Sequence, residues 1–268
     1  MTASVRHAAR ALLPLGLRVA LRRAPALLRS AFQPALPLLP PGGRATFGHV
    51  QAQRATPLRR AGTMYGEALQ RGKEQNVARA AALLDGLVIG PFETFSWHRT
   101  VGAPLRLRGF APGPEVRGGE VVAGVGGGAC QVANLVCWLG LHAGLELVER
   151  HGHDVDLFPD HERTAPFGSG ATVFFPTRDL RLLNPGPSPL LLTLEVRDGW
   201  LHGAARLTRD PGLRWELQER EHHFVREPDG VYRQNRLWIR TLRGDELVAE
   251  AEVAANRARV LYAVPGLG

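Results

Sequence analysis

A chain of 268 residues with 44% hydrophobic and 22% charged residues is long enough to bury a full core, and its composition is that of a globular protein. The formal net charge of +8 rests almost wholly on arginine, since Lys73 is the sole lysine. No basic, aromatic-interleaved module accompanies that charge, so no nucleic-acid partner is expected. Cys130 and Cys137 are the only two cysteines, too few for a disulfide-stapled secreted scaffold. Seven positions apart on a helix, they would lie roughly 10 Å from each other, too far to bridge.

Residues 1–41 scatter Arg6, Arg10, Arg18, Arg22, Arg23 and Arg29 among leucines. Among these arginines, the longest uncharged run, Ala11 to Leu17, is broken by Pro14, and the uncharged stretch after Arg29 is interrupted by prolines. A bilayer-spanning helix needs about twenty apolar residues, and the interrupting arginines do not fit the apolar centre of a signal peptide. Two readings stand side by side: a basic amphipathic helix in peripheral contact with a membrane surface, or an arginine-rich helix packed on the domain. Pro34, Pro37, Pro40 and Pro41 followed by Gly42 and Gly43 read as a linker. The chain therefore divides into an amphipathic region 1–43, a central domain 44–208 and a β-rich extension 209–268.

From Gly62 to Leu84 the spacing of Tyr65, Leu69, Val77, Ala81 and Leu84 predicts a helix, with Asn76 and Arg79 facing outward or capping. Residues 87–97 alternate and break at Gly90-Pro91, predicting strand, turn and strand. The turn-rich stretch 102–124 holds short extended pieces around Phe110 and Val121-Val122. Gly126-Gly127-Gly128-Ala129-Cys130-Gln131 then opens a long apolar segment, Val132 to Val148, read as one buried helix. Beyond it, extended runs are expected at 171–175, 179–183, 190–196, 200–207, 224–226, 231–241 and 247–253. Asp198-Gly199 and Asp229-Gly230 supply hairpin turns. The expected fold class is α+β: a buried central helix opened by Cys130 and packed on antiparallel strands, with a β-rich C-terminal part and a helical N-terminal region.

A thiol at a helix N-terminus meets unpaired N–H groups and the positive end of the macrodipole, which favour the thiolate. Glycines ahead of it permit positive φ and close approach of a second molecule. The segment Glu149-Arg150-His151-Gly152-His153-Asp154-Val155-Asp156 follows. On an extended strand, His151 and His153 share one face and Asp154 and Asp156 the other. Helix-borne cysteine followed by strand-borne histidine is the order of parts in papain-like cores. Cys130 is thus the candidate nucleophile, His153 or His151 the base, and Asp154 or Asp156 the orienting acid. The N–H of Cys130 or Gln131, or the Gln131 amide, is the candidate oxyanion donor. The His-x-His pair also admits a metal-binding reading, although no CxxC or HExxH spacing supports it. Asn134, one turn after Cys130, falls on the same face. Phe167-Gly168-Ser169-Gly170 reads as a close-approach loop.

Several long motifs occur in a fixed order. They are Gly90-Pro91-Phe92-Glu93-Thr94-Phe95-Ser96-Trp97, Gly126 to Leu135, Glu149 to Asp154, Asp156 to Asp160, Arg163 to Thr172, and Asp179-Leu180-Arg181 with Asn184. In these the chain resembles the VanW-like family, from about Leu69 to Leu207, and most closely its resistance-cluster branch. Gly170 stands before the Ala-Thr pair where the broader family carries aspartate, which leaves Asp154, Asp156 or Asp160 as the third catalytic acid. The family's Gln-x-Asn-Lys stretch reads Gln70-Arg71-Gly72-Lys73-Glu74-Gln75-Asn76 here.

The resemblance implies a link to the cell envelope and glycopeptide resistance, with no reaction attached, and a cytoplasmic location, at most peripheral to the inner face of the membrane. The expected ligand is a small molecule or peptide of the envelope, bound by Gly127, Gly128, Gln131, Asn134, Trp97, Phe167 and Ser169, with no cofactor and no metal. If the protein is an enzyme, it is a cysteine hydrolase or acyltransferase acting on a peptidoglycan-type peptide or precursor. The alternatives are a non-catalytic binding protein using the same pocket, and a metal-binding protein.

Overall fold

The computed structural model describes residues 35–59, 65–117, 120–156, 165–264 and 266. The arginine-rich segment 1–34 and the stretch 157–164, which includes Asp160, lie outside the described residues. What is described is mostly β, with thirteen strands and three α-helices. The expected helix-centred α+β fold is therefore corrected.

The apolar run after Cys130 is two elements. Helix α3 (Cys130–His142) stops at Gly144, and β6 (Glu146–Glu149) follows. Gly144 sits at φ 81°, with Gly144 N–H donating to Leu141 O and Leu145 N–H to Gly140 O, the double bond of a Schellman turn. A Cβ on Gly144 would lie 2.6 Å from the Trp215 ring. Apolar content alone does not show this stop, because the residues on both sides of it are buried.

The first helix, α1 (Glu67–Leu84), carries the expected stripe from Leu69 to Leu84 but begins after Tyr65, and residues 62–64 of the expected helix lie outside the described residues. One expectation fails there: Asn76 does not face out but is fully buried. The short helix α2 (Trp97–Thr100) follows β3 (Thr94–Ser96). Ser96 Oγ accepts from Arg99 N–H and donates to Asp179 Oδ2, while His98 N–H donates to Asp179 Oδ1. The Phe95-Ser96-Trp97 and Asp179 motifs thus form one scaffold joint, satisfying helix-start donors that would otherwise be orphaned.

Four antiparallel strands in the order β1 (His49–Pro57), β10 (Trp200–Leu207), β9 (Leu190–Arg197) and β2 (Leu87–Ile89) form the sheet beneath α3. Gly203 brings β10 close to Leu135 and Leu139 of that helix. Val132, Val136 and Leu139 of α3, Val77 and Leu84 of α1, and Leu190, Leu192 and Leu201 of the sheet share one core cluster. Burying each such side chain contributes about 1.5–3 kcal/mol. The β9–β10 hairpin turns at Asp198-Gly199, both at positive φ, as a two-residue turn demands. A smaller sheet orders β3, β8 (Arg181–Leu183) and β6, and β4 (Pro112–Arg117) pairs with β5 (Glu120–Val125).

Three long strands, β11 (Arg214–Glu227), β12 (Gly230–Arg243) and β13 (Glu246–Val260), run antiparallel. Cross-strand pairs such as Arg236–Glu252 and Arg220–Glu250 lie along them. Charged residues on these strands dilute the period-2 signal, so the sequence showed most of β12 but only the end of β11 and the first half of β13. β13 also pairs in parallel with β7 (Val155–Asp156). That pairing fastens the C-terminal sheet to the segment that follows the histidines.

Candidate functional site

The glycine-rich entry to α3 is built by close backbone contact. Gly128 takes φ 86°, and a Cβ there would meet Lys73 Cγ at 2.4 Å. Gly127 lies against the Gly113 carbonyl, 2.3 Å from where its Cβ would be. Asn76 locks this approach: its Nδ2 donates to Ala111 O and Gly127 O, and its Oδ1 accepts from Ala111 N–H. Gly127 is therefore a scaffold residue.

The loop delivers Cys130 to the wall of an open cleft of about 890 Å³. Cys130, His153, Asp154, Asp156, Gly128, Gln131, Asn134, Phe167 and Ser169 all line it. Trp97 is 4% exposed inside the core and, like His151 and Gly127, is not among the lining residues. His151 Nε2 pairs with Glu149 Oε1 at 3.0 Å. Burial opposes the charged form of Glu149, but bonds from His151 and from Asp179 N–H hold its carboxyl below the ordinary value. The two histidines are thus separated in role, with His153 alone lining the cleft.

Cys130 and His153 are tethered to consecutive residues. Cys130 Sγ donates to Val173 O at 3.7 Å, and His153 Nδ1 lies 2.8 Å from Thr172 Oγ1. Thr172 N–H donates to His151 O at 2.8 Å, which ties the histidine segment to the same stretch. Cys130 is half-buried, and burial pushes its thiol pKa up; Glu115 adds to that shift, while the residue's own N–H and Arg178 oppose it. The resting group is the thiol. Burial also pushes the Cys137 thiol up, to about 11, within the core and away from the cleft lining.

Of the proposed oxyanion donors, Gln131 N–H is taken by Gly128 O, and the Gln131 amide donates to Thr56 Oγ1 and Pro57 O. Cys130 N–H is the donor left beside the sulfur. Asn134 Oδ1 accepts from Ala171 N–H, and Ser169 Oγ donates to Pro166 O, so both shape the 166–171 loop. Arg150 holds the same loop through Gly170 O and Gly168 O and reaches Asn256 Oδ1 on β13.

The carboxylates divide as well. Asp154 is exposed and receives Arg178 at 2.8 Å. Asp156 is buried, 3.3 Å from the fully buried Arg233, and accepts from Tyr262 hydroxyl at 3.0 Å. Among the described residues, no group of three or more His, Cys, Asp or Glu is placed to hold a metal. No helix among them is long and apolar enough to cross a membrane.

Sequence reading missed much of the cleft wall, including Arg54, Lys73 and Arg178, and Tyr232, Arg257 and Arg259 from the C-terminal sheet. Arg257 and Arg259 alternate on β13, a period-2 signal that was available but ambiguous without knowing which face is covered.

The family described as VanW like protein matches residues 72–205. The vancomycin B-type resistance protein VanW of Enterococcus faecalis is 28% identical over 199 residues, covering 73% of this chain and 72% of the relative. The Bacillus subtilis protein YoaR is 32% identical over 131 residues, covering 48% of this chain and 41% of that relative. No solved structure matches the chain. With ordered motifs, a family match over half its length and two such relatives, the chain belongs to the VanW-like family.

Proposed function

We propose that the protein serves glycopeptide resistance or cell-envelope metabolism as a cysteine-dependent acyl transferase or amidase acting on a peptidoglycan-type peptide. The observation that carries this reading is the convergence of Cys130 and His153 on one cleft, tied to the adjacent residues Val173 and Thr172. The likeness to a vancomycin-resistance protein supports the envelope part of the reading.

Because burial keeps the thiol protonated, attack must be base-assisted. His153 takes the Sγ proton as sulfur bonds to the substrate carbonyl carbon. Cys130 N–H faces the developing oxyanion. Collapse breaks the C–N bond, and the leaving amine receives the proton from His153. A second amine, or water, then attacks the thioester and regenerates the thiol.

The test incubates purified protein with soluble stem peptides, followed by acid quench and intact-mass analysis. An acyl adduct on Cys130 that disappears in Cys130→Ala and fades in His153→Ala supports the reading. Unchanged turnover in Cys130→Ala overturns it. A second reading, binding without turnover, is favoured by the thiol's bond to a carbonyl rather than to an imidazole. It predicts that Cys130→Ser binds peptide as the wild type does and that no adduct ever forms.

A further inference from the structure

The family match ends at residue 205, yet one wall of the cleft comes from beyond it. Tyr232 on β12 and Ala255, Arg257 and Arg259 on β13 line the cavity. Ala255, Arg257 and Arg259 are exposed and alternate with the buried Asn256, Ala258 and Val260, so they present one face. Tyr232 is the cross-strand partner of Arg259, which places the phenol beside that arginine.

The charges on this face are unequally matched. Arg257 is held by Glu227 at 2.7 Å and lies 3.7 Å over the Tyr232 ring. The Tyr232 hydroxyl donates to Asp229 at 2.6 Å. Arg178 is engaged by Asp154, whose backbone carbonyl accepts from Arg259 N–H at 3.1 Å. Arg259 differs: among the described residues its guanidinium makes no hydrogen bond or ion pair. Taken whole, the lining carries Arg54, Lys73, Arg150, Arg178, Arg257 and Arg259 against Asp154 and Asp156. Asp154 is matched by Arg178, and the other carboxylate is matched by Arg233 from behind the wall. Among the described lining residues formal positive charge therefore exceeds negative, which favours anions, and a guanidinium presents the fork geometry suited to a carboxylate.

We propose that Arg259, flanked by Arg178 and Arg257, is the carboxylate-anchoring and specificity-determining residue of this cleft, so that the ligand is an acidic peptide. This rests on the reading that the cleft binds an envelope peptide. The anchor is supplied by the C-terminal sheet, whereas Cys130 and His153 come from the family-matched segment.

Calorimetric titration with a soluble stem peptide bearing free carboxylates, and with its fully amidated counterpart, tests this. The wild type is expected to bind the acid form about tenfold more tightly than the amide, with a salt-dependent affinity. Arg259→Gln is expected to lose that tenfold preference while binding the amide unchanged and keeping the wild-type melting temperature, since the side chain is exposed. Equal affinity of the wild type for both forms, or an unchanged preference in Arg259→Gln, overturns the assignment while leaving the envelope-peptide reading standing. Binding of neither form overturns both. Inorganic phosphate competing as well as the acid peptide identifies a general anion site and overturns the peptide class.

Discussion

At the scale of single residues, Cys130 is positioned as a nucleophile would be but is not activated in the resting state. A helix N-terminus lowers a thiol pKa only where its N–H groups remain available. Here Gln131 N–H is spent on Gly128 O, and desolvation prevails. A raised pKa means less thiolate at any given pH. Iodoacetamide labelling of Cys130 is therefore expected to be slow at neutral pH and to rise with a midpoint above the ordinary thiol value of about 8.5, read by mass spectrometry across a pH series. Cys137 should stay unlabelled in the native protein over the same range, because its side chain is fully buried.

Asn76 is the residue whose role the sequence concealed. Helical spacing alone places it among solvent-facing polar positions, and only the fold brings Ala111 and Gly127 against its amide. Asn76→Ala removes partners from buried backbone groups, each worth about 1–3 kcal/mol when left unsatisfied. Urea unfolding should show a loss of about 2–4 kcal/mol for the variant, with slower Cys130 acylation if the glycine loop relaxes.

At the scale of elements, α3 was legible at its start and not at its end. Three glycines before Cys130 mark the entry, but the apolar run continues through the point where the backbone turns. Gly144→Ala places a Cβ at positive φ and against Trp215. A non-glycine residue in that region costs about 1–2 kcal/mol before any clash. The melting temperature should fall by several degrees, and Trp215 fluorescence should change with it. Leu135→Ala, inside the interface of α3 with β10, should cost about 2–5 kcal/mol by cavity formation, measured by the same denaturant titration.

The His151-Gly152-His153 segment shows the limit of face arguments at this scale. Alternation places both histidines on one side only if the segment is a strand. In the structure residues 151–153 precede β7 as irregular backbone, so His151 turns to Glu149 and His153 to Thr172. The Asp198-Gly199 turn, by contrast, was read correctly, because positive φ is a local requirement; at the second Asp-Gly pair the hairpin is present but its turn residues are Pro228-Asp229, with Gly230 opening β12.

For the whole molecule, the contact between β13 and β7 decides how the C-terminal sheet meets the cleft. Asp156, Arg233 and Tyr262 lie at this junction, with Arg233 also 4.7 Å over the Phe167 ring. Asp156→Ala would remove a carboxylate from a buried guanidinium, and breaking a buried ion pair costs about 3–5 kcal/mol. The expected outcome is a lower unfolding midpoint, with increased hydrogen exchange in β7 and β13 first. Unchanged stability would show that this ion pair does not fasten the sheet.

The sequence by itself determined the family, most of the strands from β8 onward, the Asp198-Gly199 turn, the helix α1 and the presentation of Cys130 from a glycine loop, whereas β1 was not anticipated and the run expected at 171–175 forms only an isolated bridge at Phe174. These depend on residue identity and spacing over a few positions. Only the tertiary structure decided that the fold is mostly β, that Trp97 and Gly127 serve the scaffold, and that His153 rather than His151 lines the cleft. It also decided that β13 closes one wall of that cleft. Those outcomes depend on contacts between segments about a hundred or more residues apart, such as Arg150 with Asn256 and β1 with β10, and local periodicity carries no record of which distant strand will cover a given face.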